Sequence, residues 1–150
     1  MKAGFKWTLA LLLMACTTSS GKDYTLEAEV SPTAIGWEVK GRSNLPDQSQ
    51  ILVALIDPAF AGNYSKAILV QEFGSVMAQA FSVKIKPLKP LKPGKYQIQM
   101  TFSPTSYDWS GGKVLEEVGP KGEHLGGKYR VSDEGVNKLV NTLNVEYKGK

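Results

Sequence analysis

Residues 91–102 read LKPGKYQIQMTF, and this stretch decides the fold. Tyr96, Ile98, Met100 and Phe102 alternate with Gln97, Gln99 and Thr101. A period of two puts every apolar side chain on one face of an extended chain, which is how a strand with one buried side is written. Pro93-Gly94 just ahead of it supplies the turn.

The same period extends outward in both directions. Tyr24, Leu26, Ala28 and Val30 oppose Thr25, Glu27 and Glu29, and Ile35, Trp37 and Val39 oppose Gly36, Glu38 and Lys40. Phe81, Val83 and Ile85 oppose Ser82, Lys84 and Lys86, and Leu143, Val145 and Tyr147 oppose Asn144 and Glu146. Trp37 falls on the apolar face of its strand and is expected in the core. Ile51 to Ile56 is apolar throughout, which suggests a central strand covered on both faces. Ala67 to Phe73 is a less regular candidate. Pro32, Asn44 to Asp47, Asp57-Pro58 and Gly74-Ser75 punctuate these runs. About seven short alternating strands at this spacing predict an all-β, antiparallel sandwich. Residues 133–143 alone carry a helical period, in Val136, Leu139, Val140 and Leu143, with Asp133 placed to cap it. That segment is expected either as a short helix near residues 133–143 or as the lead-in to the last strand.

Composition bounds the chemistry. The chain has 150 residues, 42% apolar, with a net charge of +4, one cysteine and one histidine. That apolar share supports a core and excludes wholesale disorder. The single cysteine excludes a disulfide framework, and the single histidine excludes a multi-histidine metal site. The mild positive charge lacks the clustering of a nucleic-acid tail, so no nucleic-acid partner is expected. No apolar run is long enough to span a bilayer as a helix.

The first residues, MKAGFKWTLALLLMAC, set the compartment. Lys2 and Lys6 precede a short apolar run that ends in small residues, the layout of a secretory leader. Leu13-Met14-Ala15-Cys16 resembles the lipobox of bacterial lipoproteins. The resemblance implies acylation of the Cys16 thiol, cleavage before it and acylation of the new amino group. Met14 departs from the Ser, Ala or Val usual at its position. Each buried methylene contributes about 0.8 kcal/mol, so several acyl chains hold a protein to its membrane through Cys16 alone. Thr17, in place of an aspartate, implies the outer membrane in a Gram-negative cell. The expected organisation is a signal peptide at 1–15, a lipidated cysteine and flexible tether at 16–23, and a sandwich domain at 24–150.

Two further stretches carry a fold resemblance. Leu91 to Tyr96 resembles the tyrosine corner of immunoglobulin-like and fibronectin type III domains, in which the tyrosine hydroxyl bonds back to nearby backbone. Gly41-Arg-Ser-Asn-Leu-Pro-Asp47 resembles a turn before a core strand in bacterial lipoprotein sandwiches. Together they imply an immunoglobulin-like sandwich and assign no activity.

Catalytic patterns are poorly represented. Ser110-Gly-Gly-Lys113 matches Ser-x-x-Lys, but two glycines argue against the helix start that pair needs, and its companion motifs are missing. Gly122 to Lys128 spells a truncated phosphate loop with Tyr129 where Ser or Thr must stand. His124 stands in that loop without further nitrogen or sulfur ligands, and the acids are scattered rather than clustered for calcium. No enzyme activity, cofactor or metal is expected.

Two surfaces remain as binding candidates. The loop SPTSYDWSGG, residues 103–112, places Tyr107, Asp108 and Trp109 among small residues, a composition suited to low-entropy contact surfaces. Those aromatics could bind a sugar or protein partner or fold back over the end of the sandwich. Lys84, Lys86, Lys89, Lys92 and Lys95 alternate with Pro87, Pro90 and Pro93, which favours a stiff polyproline-II connection. Its first reading is a solvated connector into the tyrosine corner, and its functional reading is contact with an anionic surface. The expected function is a non-enzymatic, lipid-anchored envelope lipoprotein that binds an envelope protein or polymer through its sandwich loops. The alternative is an inhibitor or protective module against an extracellular hydrolase such as lysozyme or a protease.

Overall fold

The computed structural model describes residues 21–106 and 112–149. Among the described residues there are ten strands: β1 (Lys22–Asp23), β2 (Glu27–Thr33), β3 (Gly36–Arg42), β4 (Gln50–Ile56), β5 (Ile68–Ser75), β6 (Ala80–Ile85), β7 (Gly94–Phe102), β8 (Leu125–Gly126), β9 (Arg130–Asp133) and β10 (Val136–Tyr147). Among the described residues two short α-helices, α1 (Tyr64–Ala67) and α2 (Gly112–Val118), and one 3-10 turn, Pro58–Phe60, lie between strands. Among the described residues, no helix is long and apolar enough to cross a membrane.

The strands make an all-β antiparallel sandwich. One sheet runs β2-β3-β6 and the other β5-β4-β7-β10-β9, while β1 and β8 form a small parallel pair. The alternation places the core between the sheets. Val39, Ile51, Val53, Leu55, Ile98, Met100, Phe102 and Leu139 are completely buried, and Trp37, Phe81, Val83, Ile85 and Tyr96 nearly so. All strands of both sheets and all members of this core lie between Lys22 and Tyr147. Among the described residues, the segment from Gly21 onward therefore carries a core of its own.

Glycines mark where β6 packs closely. The Phe81 ring lies over Gly41 of β3, and Val83 lies against Gly74 of β5. Neither site has room for a further carbon, so these positions inside strands are open only to glycine.

The corner before β7 has the expected geometry. The Tyr96 hydroxyl donates to the Lys92 carbonyl at 2.8 Å. The Gly41 to Asp47 turn is a polar hub between the sheets. The Asn44 side chain accepts from the Thr25 amide at 2.8 Å and donates to the Asp23 carbonyl at 2.9 Å. Ser43 Oγ donates to the Thr25 carbonyl at 2.6 Å, and the Asp47 carboxylate accepts from the Ala78 amide at 2.9 Å. That last contact steadies a turn in which Ala78 and Gln79 both have positive φ.

Several expectations require correction. Residues 133–143 form no helix: they are the β9–β10 hairpin and most of β10, with Asp133 paired to Val136 across a two-residue turn. Glu134 and Gly135 have φ of 49° and 79°, which suits the tight turns that join twisted strands. The short helices occur instead at α1 and α2. Ile51 to Ile56 is central; Ile51, Val53 and Leu55 are fully buried on its core face, and on its outer face Ala54 is buried while Leu52 and Ile56 are half-buried. Ile35 leaves its apolar set because it sits in the β2–β3 turn, where it is 60% exposed. Lys22 and Asp23, expected at the end of a tether, pair with Leu125 and Gly126.

Candidate functional site

Strand direction gives the sandwich two poles. Glu27, Arg42 and Phe102 lie at the pole where the chain enters, and Thr33, Gly36, Ile85, Gly94 and Tyr147 lie at the other. Seven residues of β2 span about 20 Å between them.

Residues 112–126, between β7 and β9, cover the entry pole. Val114 and Val118 of α2 and Leu125 of β8 are buried against Tyr24 and Leu26. The Tyr24 hydroxyl donates to the Glu117 carboxylate at 3.1 Å, and Lys22 reaches the same oxygen at 3.3 Å. Burial first, and the Glu117 carboxylate second, push the Tyr24 hydroxyl from 10.0 up to about 12. It is a fixed donor at neutral pH and cannot serve there as a base. His124 Nδ1 lies 2.9 Å from the Glu117 carbonyl. The Glu123 carboxyl is held below its usual range by backbone amides at Glu123 and Lys121. Residues 122–128 make turns and β8, with β9 following, so this stretch has neither the strand before it nor the helix after it that a phosphate loop requires. Among the described residues, no group of three or more His, Cys, Asp and Glu converges on a point that could hold a metal.

One groove, of about 930 Å³, borders β2, β3 and β6 near the entry pole. Its charges compensate each other: Glu27 is paired across the ladder with Arg42, and Glu29 with Lys40. Lys128 also approaches Glu27, at 3.6 Å. A partner of either net charge gains little on such a surface.

The opposite pole holds a cleft of about 850 Å³. One wall is the β2–β3 turn with Ile35, and the other is the connection from Lys86 to Leu91. Trp37 and Tyr147 line it, with their rings in an edge-on contact at 6.1 Å. Leu88, 83% exposed, and Ile35 project at its mouth. Lys86, Lys89 and Lys148 border it, with Glu146 as the single acid. Among the described residues, none of these lysines has a carboxylate within 4.0 Å.

Two lysines of the lysine-proline run, Lys86 and Lys89, border the cleft, while Lys84 stands on β6 opposite Glu38 and Lys95 on β7 opposite Glu146. Lys92 is exposed and lends its carbonyl to the tyrosine corner. Lys148, Ile35 and Tyr147 belong to the cleft and were not among the candidates. The exposed Leu88 between Pro87 and Lys89 was the available signal for it. Cys16, Tyr107, Asp108 and Trp109 lie outside the described residues.

No family model, no curated protein and no solved structure matches the chain.

Proposed function

We propose that this chain is a lipid-anchored, non-enzymatic binding module of a bacterial cell envelope, built on an immunoglobulin-like sandwich. The sheet pairing of β2-β3-β6 against β5-β4-β7-β10, together with the Tyr96 corner opening β7, supports the immunoglobulin-like reading. The leader with Lys2, Lys6 and the Leu13-Met14-Ala15-Cys16 motif supports export and acylation at Cys16. The observation that carries the binding reading is the cleft at the pole away from residue 21, apolar within and bordered by lysines that have no carboxylate within 4.0 Å among the described residues. An anchor at Cys16 would leave that pole turned outward from its own membrane.

Metabolic labelling with an alkynyl fatty acid in a bacterial host tests the anchor. The expected result is a labelled protein that sediments with membranes, and loss of both properties in Cys16→Ser. An unlabelled wild-type chain recovered in the soluble fraction overturns the lipoprotein reading.

A further inference from the structure

We infer that the pole formed by the β2–β3 turn, the Lys86–Leu91 wall and the end of β10 docks onto the surface of an anionic lipid bilayer. Ile35 and Leu88 enter the acyl boundary, and Lys86, Lys89 and Lys148 lie among the phosphates. This rests on the reading of the cleft as the binding site and names its partner; it does not depend on the anchor at Cys16, and with that anchor in place the bilayer met by this pole is a second one, facing the anchoring membrane.

Three observations point to this occupant. Ile35 and Leu88 are large aliphatic side chains, 60% and 83% exposed, at the tips of two neighbouring segments. Surface aliphatic groups beside lysines are the pattern of interfacial anchoring, where apolar burial and attraction to anionic lipid act together. The cations of the border are lysines, beside the one acid Glu146, and no arginine takes part among the described residues. Lysine is a flexible point charge suited to a field of phosphates, whereas arginine supplies the fixed fork that recognises one carboxylate. The ring of Tyr147, half-buried against Trp37, stands behind the tips. Amphipathic aromatic rings settle at the level of lipid head groups.

The alternative occupant, an acidic peptide, fits less well. Pro87 and Pro90 remove two backbone donors from the wall, which leaves it a poor edge for an extended peptide. The cleft offers apolar area and charge.

The test uses the segment from Gly21 onward, which contains every described core residue and lacks Cys16, with circular dichroism of the unmutated segment showing first that it is folded. Its sedimentation is measured with phosphatidylcholine vesicles and with the same vesicles containing phosphatidylglycerol. Binding is expected only to the anionic vesicles, and to fall as salt rises. The pair Lys86→Glu and Lys89→Glu should weaken it by at least about tenfold. Leu88→Ser, at a site too exposed to affect folding, should weaken it by about tenfold. Lys113→Glu on α2, at the far pole, should leave it unchanged. Circular dichroism confirms that each variant is folded. Absence of binding to the anionic vesicles overturns the inference. Equal loss in Lys113→Glu also overturns it, by showing attraction without a docking pole. Binding of a soluble polyglutamate probe without vesicle binding overturns it in favour of a peptide partner.

Discussion

The Tyr96 hydroxyl donates to the carbonyl of Lys92 at 2.8 Å, and this bond ties the lysine-proline connection to the first residues of β7. Tyr96 is nearly buried and its ring belongs to the core, so one side chain anchors both the sheet and the connection that walls the cleft. Tyr96→Phe keeps the ring and removes the bond. The expected loss is about 1 kcal/mol, read from urea unfolding. The same variant should show faster amide exchange in residues 91–95. A change of stability within error would mean that the corner bond is dispensable here.

Asn44 joins the turn before β4 to the backbone entering β2, accepting at the Thr25 amide and donating to the Asp23 carbonyl. Asn44→Ala leaves both backbone groups without this partner and should cost about 1–3 kcal/mol. Asn44→Asp keeps the acceptor and loses the donor, so its loss should be smaller. Chemical denaturation of the three chains side by side gives the ranking, and an alanine variant as stable as wild type would remove Asn44 from the hub.

Gly41 lies directly under the Phe81 ring, and a methyl group there overlaps it. Gly41→Ala should destabilise the domain by about 1–3 kcal/mol through overpacking. Phe81→Leu in the same chain makes room, so the two changes together should cost less than their sum. A double-mutant cycle measures that coupling, and strict additivity would argue against the contact.

Tyr24 sets a prediction for alkaline pH. Its hydroxyl ionises near 10.0 when the chain is unfolded and near about 12 in the fold. Between those values the folded state holds a proton that the unfolded state has released, so stability falls as pH rises. The contribution is fully present below pH 10.0 and is lost by about pH 12. Tyr24→Phe removes the titration and should flatten the stability profile over that window, followed by urea unfolding at successive pH values. An unchanged slope in Tyr24→Phe would assign the alkaline loss to other groups.

The strands were legible because their information is local. In β7 and β6 each apolar side chain is two residues from the next, and the buried face follows from the backbone geometry alone. The Tyr96 corner was legible for the same reason, since donor and acceptor are four residues apart. Residues 133–143 were not legible, because Leu139 and Leu143 satisfy the periods of both helix and strand. Pairing to β7 along nine residues and the Glu134-Gly135 turn decided for the strand. Strands β1, β8 and β9 were too short to show a period.

The candidate site divides along the same line. The sequence by itself determined that lysines and prolines alternate ahead of β7, and that aliphatic residues stand among them. Only the tertiary structure decided which of those lysines share a surface. Lys84 and Lys95 do not line the cleft: they stand within β6 and β7, opposite Glu38 and Glu146. Lys148 joins Lys86 and Lys89, and Tyr147 meets Trp37, because β10 ends at the pole where β2 turns into β3. Contacts between residues about a hundred positions apart depend on how two sheets are stacked, and no local period encodes that.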